Sequence, residues 1–118
     1  MSSGAERRRA PRVHCVLPLQ ISAEGKPPKL IETLTKDISV SGLRCLSPTS
    51  APSNSKVSLE ITLGKGERPF SLNARVVWFQ SVPNSRQYYL GLAFDDLTEV
   101  STRRLSRYIE KLSSPHPA

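Results

Sequence analysis

The sequence has few cysteines and histidines and no long apolar run. Its two cysteines, Cys15 and Cys45, are far apart, and its two histidines, His14 and His116, are far apart as well. This is not the spacing of a zinc site, and disulfides are rare in a reducing cytosol, so we expect buried free thiols and no bound metal. No apolar segment approaches the roughly 20 residues that span a bilayer, so we expect no membrane span.

The start of the chain lacks the features of an export signal. The first residues, MSSGAERRR, carry no apolar segment after their charges, which a secretory signal requires. We therefore expect a cytoplasmic protein. The sequence also shows no set of metal ligands and no nucleophile with a neighbouring base, so we expect neither an enzyme nor a cofactor.

Aromatic residues are scarce, while positive charge is in excess. Aromatic residues make up 6% of the chain, and the formal net charge is +7. The charge favours an anionic partner of some kind, which includes nucleotides, nucleic acid, acidic lipid and acidic protein. Binding of single-stranded nucleic acid normally uses exposed aromatic side chains as stacking platforms, so the scarcity of aromatic residues disfavours that partner.

Alternating apolar and polar residues predict β-strands over most of the chain. The clearest case is KVSLEITL, in which Val57, Leu59, Ile61 and Leu63 alternate with polar residues. The six predicted strands are VHCVLPLQIS, LIETLTKDIS, GLRCLS, KVSLEITL, FSLNARVVWFQ and QYYLGLAF. Since no helix lies between them, they predict an all-β fold with a C-terminal helix, in which six antiparallel strands close into a barrel and protect their edges.

The final segment has the periodicity of an amphipathic helix over residues 97–112. Asp96 and Glu99 have the spacing of a capping box. Basic residues follow, and we interpret them as complementing the dipole at the end of the helix; they are Arg103, Arg104, Arg107 and Lys111. We predict a flexible N terminus over residues 1–6, one domain over residues 7–112 with its barrel at 13–95, and a flexible tail over residues 113–118.

Four arginines stand close together in the stretch ERRRAPRVH. Pro11 disfavours a helical backbone at Ala10, so we expect this arm to be extended. In an extended chain Arg8 and Arg12 point to the same side, at most about 13 Å apart. Their guanidinium groups can close on a planar anion and fork onto a phosphate or onto the O6 and N7 edge of guanine. A solvated basic arm is the alternative interpretation.

A second stretch, DISVSG, carries polar groups at alternate positions. In an extended chain Asp37, Ser39 and Ser41 share one face, and a carboxylate and hydroxyls can bond the N1–H and exocyclic amine of guanine. Gly42 permits positive φ and a close approach of backbone to a ligand. The alternative is an ordinary strand end before a glycine turn, in which Asp and Ser bond local amides.

The order and separation of these two stretches, in a β context, resemble the PilZ domain family over about residues 7–112. VVWF and YLGLAF before a final helix also look like PilZ elements. The resemblance implies a six-stranded barrel with a C-terminal helix and, in many members, a receptor for cyclic di-GMP. It implies that Arg8 and Arg12 match RxxxR and grip phosphate and guanine edges, while Asp37, Ser39 and Gly42 match D-x-S-x-x-G and hold one guanine.

Five further residues are weaker candidates under the same resemblance. An extra arginine at Arg7 can stack on the second guanine of an intercalated ligand dimer, which favours two nucleotides per chain. Arg9 reaches either this ligand or solvent, and Arg44 either lines the pocket or is an outward strand residue. Trp78 and Gly91 look like family positions. The alternation predicts that Trp78 faces the core, and a platform for the ligand is the alternative.

The function predicted from the sequence is that of a bacterial cyclic di-GMP sensor whose arginine-rich arm becomes ordered on nucleotide binding and signals to a separate protein. One alternative is a PilZ-type adaptor that binds proteins without the nucleotide. Another, less favoured, is a basic barrel that binds nucleic acid. We expect a monomer, with a ligand-linked dimer as the other possibility, and the sequence does not identify the downstream protein.

Overall fold

The computed structural model describes residues 12–24, 29–64 and 66–113. Predictions for residues 1–6, for Arg7, Arg8 and Arg9, and for residues 114–118 therefore lie outside the described residues. Within the described ranges the elements are β1 (Val13–His14), β2 (Pro18–Ala23), β3 (Lys29–Ile38), β4 (Gly42–Ser47), β5 (Lys56–Ile61), β6 (Phe70–Ser81), β7 (Tyr88–Asp95) and α1 (Glu99–Ser113).

Six of these strands form a closed antiparallel barrel. Their order around the barrel is β3-β2-β5-β6-β7-β4, and pairing between β3 and β4 closes the sheet. The short strand β1 pairs with the end of β3 as an extra strand. The predicted six-stranded antiparallel barrel with a C-terminal helix is confirmed.

The first predicted strand is divided into β1 and β2, because residues 15–17 leave the regular ladder. The buried side chain of Thr35 takes the place of ladder hydrogen bonds there: its hydroxyl donates to the carbonyl of Cys15 at 2.6 Å and accepts from the amide of Leu17 at 2.9 Å. This division lets β1 pair separately, so that His14 lies opposite Asp37.

The core follows the alternation seen in the sequence. Val57, Leu59 and Ile61 of β5 are all buried, as predicted, and their polar neighbours are exposed. Both thiols are free. Cys45 lies in the core, where burial raises the pKa of its thiol to about 12, whereas Cys15 is only half-buried. The prediction of a buried free thiol is therefore confirmed for Cys45 and only partly for Cys15.

The helix begins at Glu99, two residues later than predicted, and its N-terminal cap is Thr98. The hydroxyl of Thr98 accepts a hydrogen bond from the amide of Ser101 at 3.0 Å, as an N-cap residue does. The predicted capping box of Asp96 and Glu99 is wrong, because Asp96 turns the chain with a φ of 54° before the helix starts.

One face of α1 packs on the barrel. Leu105 and Ile109 are buried in the core, and the hydroxyl of Tyr108 donates to the carbonyl of Leu63 at 2.9 Å. Val100 and Leu112, which the periodicity had placed in the apolar stripe, are 71% and 40% exposed. Within the described ranges, no helix has both the length and the apolar character needed to span a bilayer.

Candidate functional site

Cross-strand pairing places five residues in one row across the barrel. His14 lies opposite Asp37, Asp37 opposite Arg44, Arg44 opposite Gly91, and Gly91 opposite Trp78. Residues that are paired across neighbouring strands point to the same side of a sheet. Because His14, Arg44 and Trp78 all reach solvent, this row lies on the outer surface of the barrel.

Asp37 binds two arginines that come from different parts of the chain. Arg12 donates from Nη1 to one carboxylate oxygen at 2.7 Å, and Arg44 donates from Nε to the other at 2.7 Å, with its Nη2 beside the same oxygen. Asp37 is 1% exposed, whereas the side chains of Arg12 and Arg44 are 45% and 38% exposed. The carboxylate thus holds both guanidinium groups at the surface, and the contact unites the two sequence motifs.

The charges of this cluster stabilise one another. Burial by itself would raise the pKa of Asp37, but the hydrogen bonds from Arg44 and Arg12, and then the charges of both, outweigh it and leave the pKa below its ordinary value of 3.8. The hydrogen bond to Asp37 in turn raises the pKa of Arg44. At neutral pH the cluster therefore consists of one carboxylate and two cations, with an excess of positive charge.

The buried carboxylate should contribute to stability in a pH-dependent way. We expect Asp37→Asn to lower the free energy of unfolding at pH 7 by about 2 kcal/mol, because the amide NH₂ meets the donors of one arginine and the charge is lost. Since folding lowers the pKa of Asp37, the wild-type advantage is complete above pH 3.8 and disappears as pH falls through the lower folded value.

Urea unfolding of both proteins between pH 7 and pH 2.5 measures this difference. The gap between wild type and Asp37→Asn should shrink only below about pH 4. Asp95→Asn is the matched control, because Asp95 pairs with Arg75 at 3.0 Å while its side chain is 25% exposed. A wild-type advantage that stayed constant down to pH 2.5 would contradict this account of Asp37.

Ser39 is used by the turn between β3 and β4. It is 1% exposed, and its hydroxyl donates to the carbonyl of Gly42 at 3.3 Å and accepts from the amide of Ser41 at 3.2 Å. Its amide also donates to Gly42 at 2.8 Å. Ser39 therefore makes the local hydrogen bonds expected of an ordinary strand end before a turn. It is buried next to the cluster of Asp37, Arg12 and Arg44 and is not exposed to the groove.

Gly42 allows β4 and β7 to approach closely. A Cβ atom at this position would lie 2.1 Å from the carbonyl oxygen of Leu92. The glycines with positive φ in the described part of the chain are Gly64 and Gly66, so Gly42 does not use the positive φ that a glycine permits. Its lack of a side chain is required by the neighbouring strand.

Trp78 faces outward, and the predicted position in the core is wrong. The register of β6 against β7 shifts between Val76 and Trp78, and this bulge ends the inward alternation. Trp78 is 37% exposed and lies against Gly91, where a Cβ atom would come within 2.3 Å of the indole. The absence of a side chain at Gly91 thus allows the indole to lie against the backbone on the barrel surface.

The arginines and the indole border one groove with a volume of about 380 Å³. The predicted site residues that line it are Arg12, Arg44, Trp78 and Gly91. Asp37 lies behind the two arginines, and Ser39 and Gly42 lie in the adjoining turn and strand end. The groove therefore combines cationic donors with one aromatic wall.

Two residues that position the site were not predicted. Thr35 anchors residues 15–17 directly after β1 (Val13–His14) and so holds the end of the short strand that begins next to Arg12. Val77 lines the groove as the extra residue of the bulge in β6. Neither has a local signal, because a threonine inside a β-branched strand and a valine in an apolar run look like ordinary strand residues. The described residues hold no cluster of three metal-ligating side chains.

Comparison with solved structures shows the same fold. MotI/DgrA, the inhibitor of motility of Bacillus subtilis, matches with a TM-score of 0.74 and 25% identity over 89% of this chain and 50% of that chain. The PilZ domain of Escherichia coli YcgR with c-di-GMP matches with a TM-score of 0.71 and 20% identity over 90% and 91% of the two chains. The K. pneumonia MrkH–c-di-GMP complex matches with a TM-score of 0.70 and 18% identity, over 90% of this chain and 52% of that chain.

This chain spans about half of the MotI and MrkH chains and nearly all of the YcgR domain. No curated protein matches the sequence. The model of the PilZ domain family matches residues 6–111, which is almost the whole sequence. The chain therefore belongs to the PilZ domain family.

Proposed function

We propose that this protein is a cytoplasmic receptor for cyclic di-GMP. The observation that carries the proposal is the 2.7 Å contact between Arg12 and Asp37, which joins the RxxxR arm to the D-x-S-x-x-G turn across 25 residues. Solved relatives in the same fold, YcgR and MrkH, were captured with c-di-GMP. The groove beside that contact offers donors of the kind that phosphate and guanine edges require.

The arginines keep donors available for a ligand while Asp37 orients them. A guanidinium group has five N–H donors. Arg12 uses Nη1 for Asp37, and Arg44 uses its Nε–Nη2 edge, so each retains N–H groups on an exposed side. On binding, Arg12 turns to the phosphate or to the O6 and N7 edge of guanine. The oxygen of Asp37 that Arg12 releases is then free to accept hydrogen bonds from the N1–H and the exocyclic amine of that guanine.

Trp78 supplies the apolar wall of the proposed site. Its indole lies against Gly91, and a guanine ring that enters the groove can stack on its exposed side. The volume of about 380 Å³ is at the low end of the roughly 300–1,000 Å³ typical of ligand pockets. We expect one guanosine half of the ligand to occupy this space.

The arm then acts as the switching element. In the proposed mechanism Arg8 joins Arg12 on the nucleotide, whose charge offsets the repulsion among the arginines, and the arm is ordered over the groove. An order–disorder change of this kind presents a new surface to a downstream protein. The adaptor alternative has one observation in its favour: Ser39 and both oxygens of Asp37 already have partners within the protein.

Calorimetric titration with cyclic di-GMP, GTP and a short oligonucleotide tests the proposal. We expect saturable binding of cyclic di-GMP alone, with two nucleotides per chain if Arg7 stacks on a second guanine. Arg8→Ala should abolish this binding and leave the far-UV circular dichroism unchanged. Binding of the oligonucleotide that salt removes steeply would instead indicate a nucleic-acid protein. No heat with any of the three would favour the adaptor.

A further inference from the structure

A second groove lies along α1, apart from the residues of the proposed nucleotide site. Its volume is about 550 Å³, and α1 forms one wall while the segment before β6 forms the other. The lining includes four basic side chains, and Glu67 is the one carboxylate among the described residues that line it. The basic residues are Arg103, Arg104, Arg107 and Lys111.

The helix dipole does not account for this charge. The dipole favours cations within the last turn of a helix, and in α1 only Lys111 stands there. Arg103 lies near the start and Arg107 in the middle of α1 (Glu99–Ser113), where a cation gains little from the dipole. The interpretation of the whole cluster as dipole compensation therefore fails for these two arginines.

Arg104 differs from its neighbours because it has a structural role. It donates to the carbonyl of Arg68 at 2.7 Å, lies 3.6 Å from Glu67, and its guanidinium carbon is 5.4 Å from the centre of the Phe70 ring. It thereby fastens α1 to the barrel. Arg103 and Arg107 are exposed. Neither the packing of α1 on the barrel nor the helix dipole explains why these two positions are basic.

Arg103, Arg107 and Lys111 form a regular row. They are spaced four residues apart, so they lie on one face of α1 at intervals of about 6 Å along its axis. In an extended peptide, side chains on one side recur about every 6.6 Å. An extended segment with acidic residues at alternate positions therefore matches the row in both charge and spacing.

The groove also has an apolar component. Val100 stands at its end and is 71% exposed, while Leu63 and Tyr108 form part of its floor. The hydroxyl of Tyr108 donates to the carbonyl of Leu63, which fixes the orientation of the ring. An exposed valine in a concave cationic groove suits the side chain of a protein ligand better than a flat lipid surface or a nucleic acid strand.

We propose that the groove between α1 and the segment before β6 binds an extended acidic segment of a partner protein. Alternate carboxylates of that segment pair with Arg103, Arg107 and Lys111, and an apolar side chain packs on Val100. This surface is separate from the nucleotide groove, and the inference does not depend on cyclic di-GMP binding.

Fluorescence anisotropy with a labelled peptide of about ten residues tests the inference. The probe has glutamate at alternate positions and one leucine near its end. We expect saturable binding that weakens with salt, and Arg103→Glu/Arg107→Glu should weaken it at least about tenfold. Lys29→Glu/Arg86→Glu is the matched control, with the same change of net charge at exposed positions away from the groove, and should stay within about twofold of wild type.

Two further probes separate this idea from simple charge attraction. Val100→Ser, and the peptide with its leucine changed to serine, should each weaken binding about threefold. Equal losses in the test and control pairs would overturn the proposal, as would the absence of saturable peptide binding. So would phosphatidylglycerol vesicles or a single-stranded oligonucleotide that bound through Arg103 and Arg107 while the peptide did not. Calorimetric titration of Arg103→Glu/Arg107→Glu with cyclic di-GMP measures the nucleotide affinity separately from the peptide affinity.

Discussion

Replacing Gly42 with alanine is expected to lower the free energy of unfolding by roughly 3 kcal/mol. The added Cβ would lie 2.1 Å from the carbonyl oxygen of Leu92 and 3.2 Å from the Cα of Ala93. Both are backbone atoms of β7, which no change of side-chain rotamer can move. Relief of the clash therefore requires that β4 separate from β7.

The separation would affect more than one pair of strands. β4 bonds to β7 on one side and to β3 on the other, and the pairing of β3 with β4 closes the barrel. The amide of Phe94 also donates to Ser41, next to Gly42, at 2.9 Å. A displaced β4 would thus weaken the barrel at its closure and distort the turn beside Asp37.

Thermal unfolding measures the effect, and Gly91→Ala is the matched control. A loss of roughly 3 kcal/mol corresponds to a fall in Tm of about 10–20 °C for a domain of this size. At Gly91 the same methyl group would meet only the indole of Trp78, at 2.3 Å, and this exposed side chain can swing away. We expect Gly91→Ala to cost under about 1.5 kcal/mol. Equal losses at the two glycines would contradict the argument from backbone contact.

The parts of the fold that were predicted correctly depend on regular patterns. In β5 the alternation of Val57, Leu59 and Ile61 with polar residues is uninterrupted, so its inner and outer faces follow directly from the period of two. Closure of the barrel followed from the number of strands and the need to protect edges. The juxtaposition of Arg12 and Asp37, by contrast, came from the resemblance to the PilZ family.

The wrong predictions occur where a single residue breaks a pattern. One extra residue at Val77 turns Trp78 outward, and the sequence VVWF does not distinguish a bulge from a regular strand. At the helix, Thr98 and Asp96 are both good N-cap residues, and the positive φ of Asp96, which the sequence does not predict, leaves Thr98 as the cap. Arg44 could be placed only after the register of β3 and β4 was known.

Arg12→Ala is expected to weaken cyclic di-GMP binding at least about 100-fold under the proposed function, because it removes a charge-assisted, forked donor from the ligand. The protein should remain folded. Asp37 keeps its contact with Arg44, and Arg12 is 45% exposed, so its removal should cost about 1 kcal/mol or less. Loss of the hydrogen bond and charge of Arg12 would raise the pKa of Asp37, while the hydrogen bond from Arg44 continues to lower it.

Calorimetry of three variants separates the role of Arg12 from that of net charge. Arg86→Ala removes one positive charge from the exposed turn between β6 and β7 and should bind like wild type. Arg44→Ala should weaken binding about tenfold, because Arg44 lines the groove but stands outside the RxxxR arm. Equal losses with Arg12→Ala and Arg86→Ala would show that affinity follows overall charge. Wild-type affinity in Arg12→Ala would show that the contact between Arg12 and Asp37 is purely structural, and the receptor proposal would lose the observation that carries it.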